Sequence, residues 1–204
     1  MSPNFRLSRL GSALLCAGLP LLGGSGEAGL EFGASLKVQR PLGEFQSTVL
    51  DAGLGYGLGF RTRYKFQGQQ ALTARLDYDL FTEGESEVHG SNYLMKETIK
   101  VRELAIGVNY EWLLSGGNVG GYLLVGPVYR RWEDERTASY FQSLPGTVPP
   151  NQSVSTSPTG LGFDVGWGYR GASNSGVEIH LVSGKYGDTG YAANSLQFSF
   201  VHYW

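Results

Sequence analysis

Soft metal ligands are almost missing from this chain: 204 residues contain one cysteine, Cys16, and three histidines, His89, His180 and His202. A disulfide within the chain is excluded, and the histidines stand too far apart to suggest a metal site. No metal or cofactor is expected. An excess of one charge is also missing, because the net charge is only −2; nucleic acid calls for a basic patch or stripe. No uninterrupted apolar run of ~18 residues exists either, which excludes a helical membrane protein. Glycine and aromatic residues are plentiful instead, with 31 Gly, 12 Tyr, 10 Phe and 4 Trp in a chain that is 41% hydrophobic.

The first 28 residues have the order of a secretory signal peptide. Arg6 and Arg9 stand without acids, Leu10 to Leu22 is apolar, and Gly26 and Ala28 offer small residues for cleavage before Gly29. The apolar part is too short to span a bilayer, and Leu14 and Leu15 precede Cys16 where a lipoprotein signal would carry small residues. Two regions are therefore expected, a signal peptide over 1–28 and one domain over 29–204. Cleavage there would leave an exported chain without cysteine.

Across the remainder, apolar and polar residues alternate with the period of two that places successive strand side chains on opposite faces. Eight segments are predicted as strands: Leu30 to Val38, Ala52 to Phe66, Leu72 to Leu80, Ile99 to Trp112, Gly121 to Trp132, a sixth containing Leu161 to Tyr169, Gly176 to Gly184, and Ser195 to Trp204. In the second, Leu54, Tyr56, Leu58, Phe60, Tyr64 and Phe66 share one face, and Gly53, Gly55, Gly57, Gly59, Arg61, Arg63 and Lys65 share the other. The fifth is ambiguous, being apolar on both faces and carrying Pro127, which has no ladder donor.

Short connections (Gln67 to Gln70, Leu113 to Val119, Gly171 to Ser175) alternate with long ones (Gln39 to Leu50, Glu83 to Glu97, Glu133 to Pro158, Lys185 to Asn194). Phe66, Trp112, Tyr169 and Trp204 place an outward aromatic at the short-connection end of four strands, as an interfacial girdle does. The expected fold is all-β, an eight-stranded antiparallel transmembrane barrel. An even strand count lets such a sheet close without free edges.

These features resemble the small outer-membrane β-barrel proteins of the OmpA and OmpX type. The final segment, with Leu196, Phe198, Phe200 and Trp204 on one face, also resembles the terminal signature read by the outer-membrane assembly machinery; His202 departs from it. The resemblance implies location in the outer membrane, contact with its lipids and with the assembly machinery, and a monomer. It leaves any surface ligand unnamed.

Inside so narrow a barrel, Lys37, Arg61, Arg63, Arg75 and Arg170 are expected to pair with Asp77, Asp79, Glu103, Asp164 and Glu178. The alternate-position glycines are expected to leave local space. A filled lumen points to a structural or surface-interaction protein, and an open one would make a narrow channel for ions or small solutes. Lys100, Arg102, Arg130 and Arg131 cluster where two strands leave the membrane, and could pair with lipopolysaccharide phosphates. His89-Gly90-Ser91-Asn92 with Glu103 resembles the catalytic arrangement of outer-membrane lipid A deacylases, in which His activates Ser and the acid orients His. That motif belongs near the C-terminus on lipid-facing strands, whereas this one precedes four strands. No catalytic role is expected for it.

Overall fold

The computed structural model describes residues 29–49, 53–66, 69–90, 93–114, 119–142 and 149–204. The expected signal peptide, 1–28, lies outside them, as do Ser91 and Asn92. Ten strands follow in order: β1 (Gly29–Leu42), β2 (Gly55–Lys65), β3 (Gln70–Phe81), β4 (Gly84–His89), β5 (Tyr93–Leu113), β6 (Gly120–Gln142), β7 (Gln152–Thr156), β8 (Thr159–Arg170), β9 (Ser175–Gly184) and β10 (Asn194–Tyr203). Eight of the described strands, all except β4 and β7, form one antiparallel ring. First and last strands lie side by side, from Gly33 opposite Tyr203 to Leu42 opposite Asn194. Closure gives every wall strand two hydrogen-bonding neighbours, the condition for backbone to stand in lipid.

Alternation fixes which side chains face out. The pairs Leu36–Phe200, Leu36–Leu58 and Leu58–Tyr78 stand directly opposite one another across successive strands. They belong to a wall of exposed apolar side chains that runs round the ring, including Phe32, Phe60, Leu76, Ile106, Val165, Ile179 and Phe198. In water so large an apolar surface would drive aggregation; against acyl chains it is the favoured exterior. Phe66, Trp112, Tyr169 and Trp204 are exposed at the end that carries both chain ends of the barrel.

Two expectations need correction, and one ambiguity is resolved. The segments expected over 99–112 and 121–132 continue far beyond those limits, because β5 has 21 residues and β6 has 23. Their outer halves pair with each other and with β4 and β7, so much of the two longest expected loops is a sheet standing above the ring, ordered β4-β5-β6-β7. The ambiguous fifth segment is a wall strand paired on both sides, with Pro127 in its interior. The proline sits opposite Phe163 in an unbroken ladder with β8, while the β5–β6 ladder skips from Gly107–Val128 to Tyr110–Val125. The missing donor is thus absorbed as a local gap on one side. Finally, the connection after β1 carries a short helical turn, Phe45–Val49, whose Phe45 is wholly buried.

Phe200 stands midway along the outward row of β10, between Leu36 of β1 and Val177 of β9. Replacing it with Arg should destabilise the folded barrel by ~2–4 kcal/mol, the cost of a cation on the lipid face near mid-membrane. Urea titration in lipid vesicles measures it. The inward substitution Ser199→Ala serves as the comparison, with an expected change below ~1 kcal/mol.

Candidate functional site: the barrel interior and its mouth

The interior is the polar half of each alternating strand folded onto itself. All ten residues expected in the charge network, Lys37, Arg61, Arg63, Arg75, Asp77, Asp79, Glu103, Asp164, Arg170 and Glu178, are at most 3% exposed. Among the described residues, buried Lys and Arg number seven and buried Asp and Glu number seven, once Lys65, Arg130, Glu111 and Asp134 are included. Lys37 Nζ lies 2.7 Å from Asp79 and 3.3 Å from Asp77. Arg75 joins Asp77 at 3.3 Å to Asp164 at 2.9 Å. Arg61 meets Glu178 at 2.6 Å, and the Tyr122 hydroxyl donates to the same carboxylate at 2.7 Å.

His180, buried on the inward row of β9, closes this set. Its Nδ1 lies 3.0 Å from Asp164 and its Nε2 3.0 Å from Glu178. Each ring nitrogen thus faces a carboxylate. Towards the chain ends, Arg63 binds Glu111 through Nε and Nη2 at 2.9 and 2.6 Å and reaches Glu31 at 2.9 Å. Arg170 lies 4.3 Å above the Tyr203 ring. Desolvation makes each of these charges costly alone, so neighbours must supply the compensation.

The interior glycines do not leave the local space expected of them. A Cβ on Gly57 would collide with the Asp79 carboxylate, one on Gly59 with Asp77 and Ser35, and one on Gly168 with the Tyr122 ring. Lys37, Gly57 and Asp79 stand in one row across β1, β2 and β3. The Lys37–Asp79 contact therefore crosses the middle strand over a residue with no side chain.

At the end with the long connections, Phe45, Phe81, Ile99, Val101, Trp132, Tyr186 and Ala193 form one buried apolar cluster. Phe45 packs at 5.8 Å from Trp132 and 5.6 Å from Tyr186, ring centre to ring centre. Directly beneath is Arg130, which corrects one expectation. It was placed with Lys100, Arg102 and Arg131 on the outer surface, yet it is 1% exposed and points inward. Arg130 grips Glu103 with two hydrogen bonds of 2.9 and 2.6 Å, donates to the Ala193 carbonyl and lies 4.8 Å over the Trp132 ring. The Trp132 indole donates to Glu103 at 2.8 Å. Above it, the Tyr186 hydroxyl donates to Asp134 at 3.1 Å, and burial, with that carboxylate, pushes the phenol above its ordinary pKa. Neither the mouth cluster nor Arg130 was expected. Arg130-x-Trp132-x-Asp134 and Arg131-x-Glu133-x-Glu135 both carry charge, so alternation alone could not choose the inward row.

Lys100, Arg102 and Arg131 are exposed as expected. His89 and Glu103 are not brought together. His89 pairs with Leu94 at the far end of β5, nine residues from Glu103, or about 30 Å at ~3.4 Å per residue; the motif's Ser91 lies outside the described residues. Among the described residues no group of three or more His, Cys, Asp or Glu is placed to hold a metal ion.

No protein-family model matches the chain, and no curated protein matches it in sequence. Solved structures do. Ail, the attachment invasion locus protein of Yersinia pestis, in complex with the heparin analogue sucrose octasulfate, superposes with a TM-score of 0.52 at 12% identity, over 87% of this chain and 99% of that chain. A second Ail structure gives 0.50 at 13% identity, with the same coverage. The N-terminal β-barrel domain of Pseudomonas aeruginosa OprF gives 0.45 at 12% identity, over 86% and 99%. At such identities the likeness concerns the fold, and the fold is that of the small eight-stranded outer-membrane barrels.

Four variants test the interior packing. Glu178→Leu strands Arg61 and His180 and should cost ~3–5 kcal/mol, whereas Arg61→Met combined with Glu178→Leu should recover part of that loss. Gly168→Val should be similarly disruptive by displacing Tyr122. Gly121→Ala, whose new methyl would meet neighbours only at 3.5 Å or more, should change stability by less than ~0.5 kcal/mol. Denaturant unfolding of the refolded proteins reads all four.

Proposed function

We propose that this protein is a closed outer-membrane barrel with a structural and surface-interaction role, and neither a conduit nor an enzyme. The observation that carries this reading is the burial of the interior: charges almost without exposure pair across the lumen, and Trp132, Phe45 and Tyr186 cover them at the mouth. Ions would have to displace buried partners along the whole path. In the proposed orientation the chain ends of the barrel face the periplasm and the long connections face outward.

The exterior supplies the interaction surface. Above the ring, the sheet β4-β5-β6-β7 has an edge strand on each side. Every residue of β7 is exposed, and Val88, Phe141 and Val154 are each at least half exposed. An apolar side chain held by a rigid sheet, clear of the membrane wall, suits recognition of another macromolecule. The acid of the deacylase-like motif is engaged elsewhere, since Glu103 is bound by Arg130 and Trp132 inside the barrel.

Conductance of the refolded protein in planar bilayers tests the closed lumen. Expected is the absence of sustained unitary openings. Stable openings whose amplitude or ion preference changes in Arg75→Gln or Asp77→Asn would overturn the reading in favour of a narrow channel. Cell fractionation tests the location: the protein should enter the outer-membrane fraction and migrate heat-modifiably, and recovery as a soluble periplasmic protein would refute it.

A further inference from the structure

On the outer surface of β5 and β6, the chemistry changes in three steps along one column of paired residues. Ile106 stands opposite Tyr129, then Leu104 opposite Arg131, Arg102 opposite Glu133, and Lys100 opposite Glu135. β3 adds Tyr78 beside Leu104 and Leu80 beside Arg102, and β7 adds Ser155 beside Glu135. From the membrane wall upward the surface is thus apolar, then basic, then rich in carboxylates and hydroxyls. At ~3.4 Å per residue each step is about 7 Å high.

The column is concave. One hollow of about 120 Å³ is lined by Tyr78, Leu104, Arg131, Arg102 and Glu133. A second, of about 300 Å³, continues from the same Arg102 and Glu133 to Lys100, Glu135, Ser155 and Ser157. The basic groups are only loosely engaged. Arg102 is 3.9 Å from Glu133, with both side chains more than half exposed. Lys100 leans away to Glu83 at 3.1 Å. Among the described residues Arg131 has no ion-pair partner. Two guanidiniums that line one hollow at the rim of an apolar wall carry the donors that a phosphate needs.

We propose that this groove binds a phosphorylated glycolipid, the chemistry of lipid A, resting on the outer-membrane reading above. An acyl chain lies against Tyr78 and Leu104, a phosphate sits between Arg102 and Arg131, and sugar hydroxyls and amides meet Glu133, Glu135, Ser155 and Ser157. A simple anionic phospholipid satisfies the lower two layers and lacks a hydroxylated body for the third. That difference sets the specificity.

Native mass spectrometry of the refolded protein in detergent micelles, titrated with lipid A, dephosphorylated lipid A or phosphatidylglycerol, tests this. Lipid A should be retained at least ~10-fold more tightly than either comparison lipid, a difference of ~1.4 kcal/mol. Arg102→Ala with Arg131→Ala should remove the preference over dephosphorylated lipid A, and should weaken phosphatidylglycerol together with lipid A. Arg40→Ala, which deletes an exposed outward arginine on β1, should leave that preference intact. Equal retention of phosphatidylglycerol, or equal loss in the Arg40 variant, would overturn the proposal. The lipid comparison on the unaltered protein needs no variant to fold, and a wrong location would show separately in the fractionation.

Discussion

The molecule depends on one constraint: a ring of eight strands encloses a space so narrow that charged side chains pointing into it must find their partners among one another and a few neighbouring polar groups. Polar residues must point inward because the outward row faces lipid, and once inside they lose water. The consequence is the chain of contacts Lys37–Asp77–Arg75–Asp164–His180–Glu178–Arg61, in which most members touch two partners. Such a network gives less net stability than its number of contacts implies, because desolvation offsets most of the attraction. Its stronger effect is on register. Sliding one strand by a residue would send the interior charges into lipid and the apolar wall into the lumen.

Glycine belongs to the same constraint. Arg and Asp side chains that cross an intervening strand need that strand to be bare, and β2 and β8 are bare where Asp79, Asp77, Tyr122 and His180 lie over Gly57, Gly59, Gly168 and Gly166. The cost of glycine in a strand, lost chain entropy and lost side-chain packing, is accepted where a longer neighbour fills the same volume.

Alternation was legible on β2, β3, β8 and β9, where every charge falls on one face, and on β1 and β10, where a regular row of large apolar side chains marks the outward face. It failed on β6. There both rows carry charge above the membrane, because only one face of that segment looks into the mouth while both lie clear of lipid. The outer halves of β5 and β6 were read as loop for a related reason: a sheet wetted on both faces has no hydrophobic period. The mouth cluster was invisible for another. Phe45, Phe81, Trp132 and Tyr186 come from four separate segments, and only ring closure brings them within 6.2 Å of Phe45.

The two halves of the molecule therefore follow different rules. In the ring, substitution of a charged residue on the inner face disturbs a partner, and a polar substitution on the outer face meets hydrocarbon, so little surface is free to acquire a binding role. Above the ring, the β4-β5-β6-β7 sheet borrows its rigidity from strands that continue out of the wall, while its side chains answer to neither lumen nor lipid. Arg130 and Arg131 mark the boundary in two adjacent residues. One is locked under Trp132 by Glu103 as part of the plug, and its neighbour, rotated to the opposite face by the pleat, is free to meet a ligand. Recognition on this scaffold belongs on the outward side of that boundary, because only there can a side chain change partners without breaking the network that keeps the barrel in register.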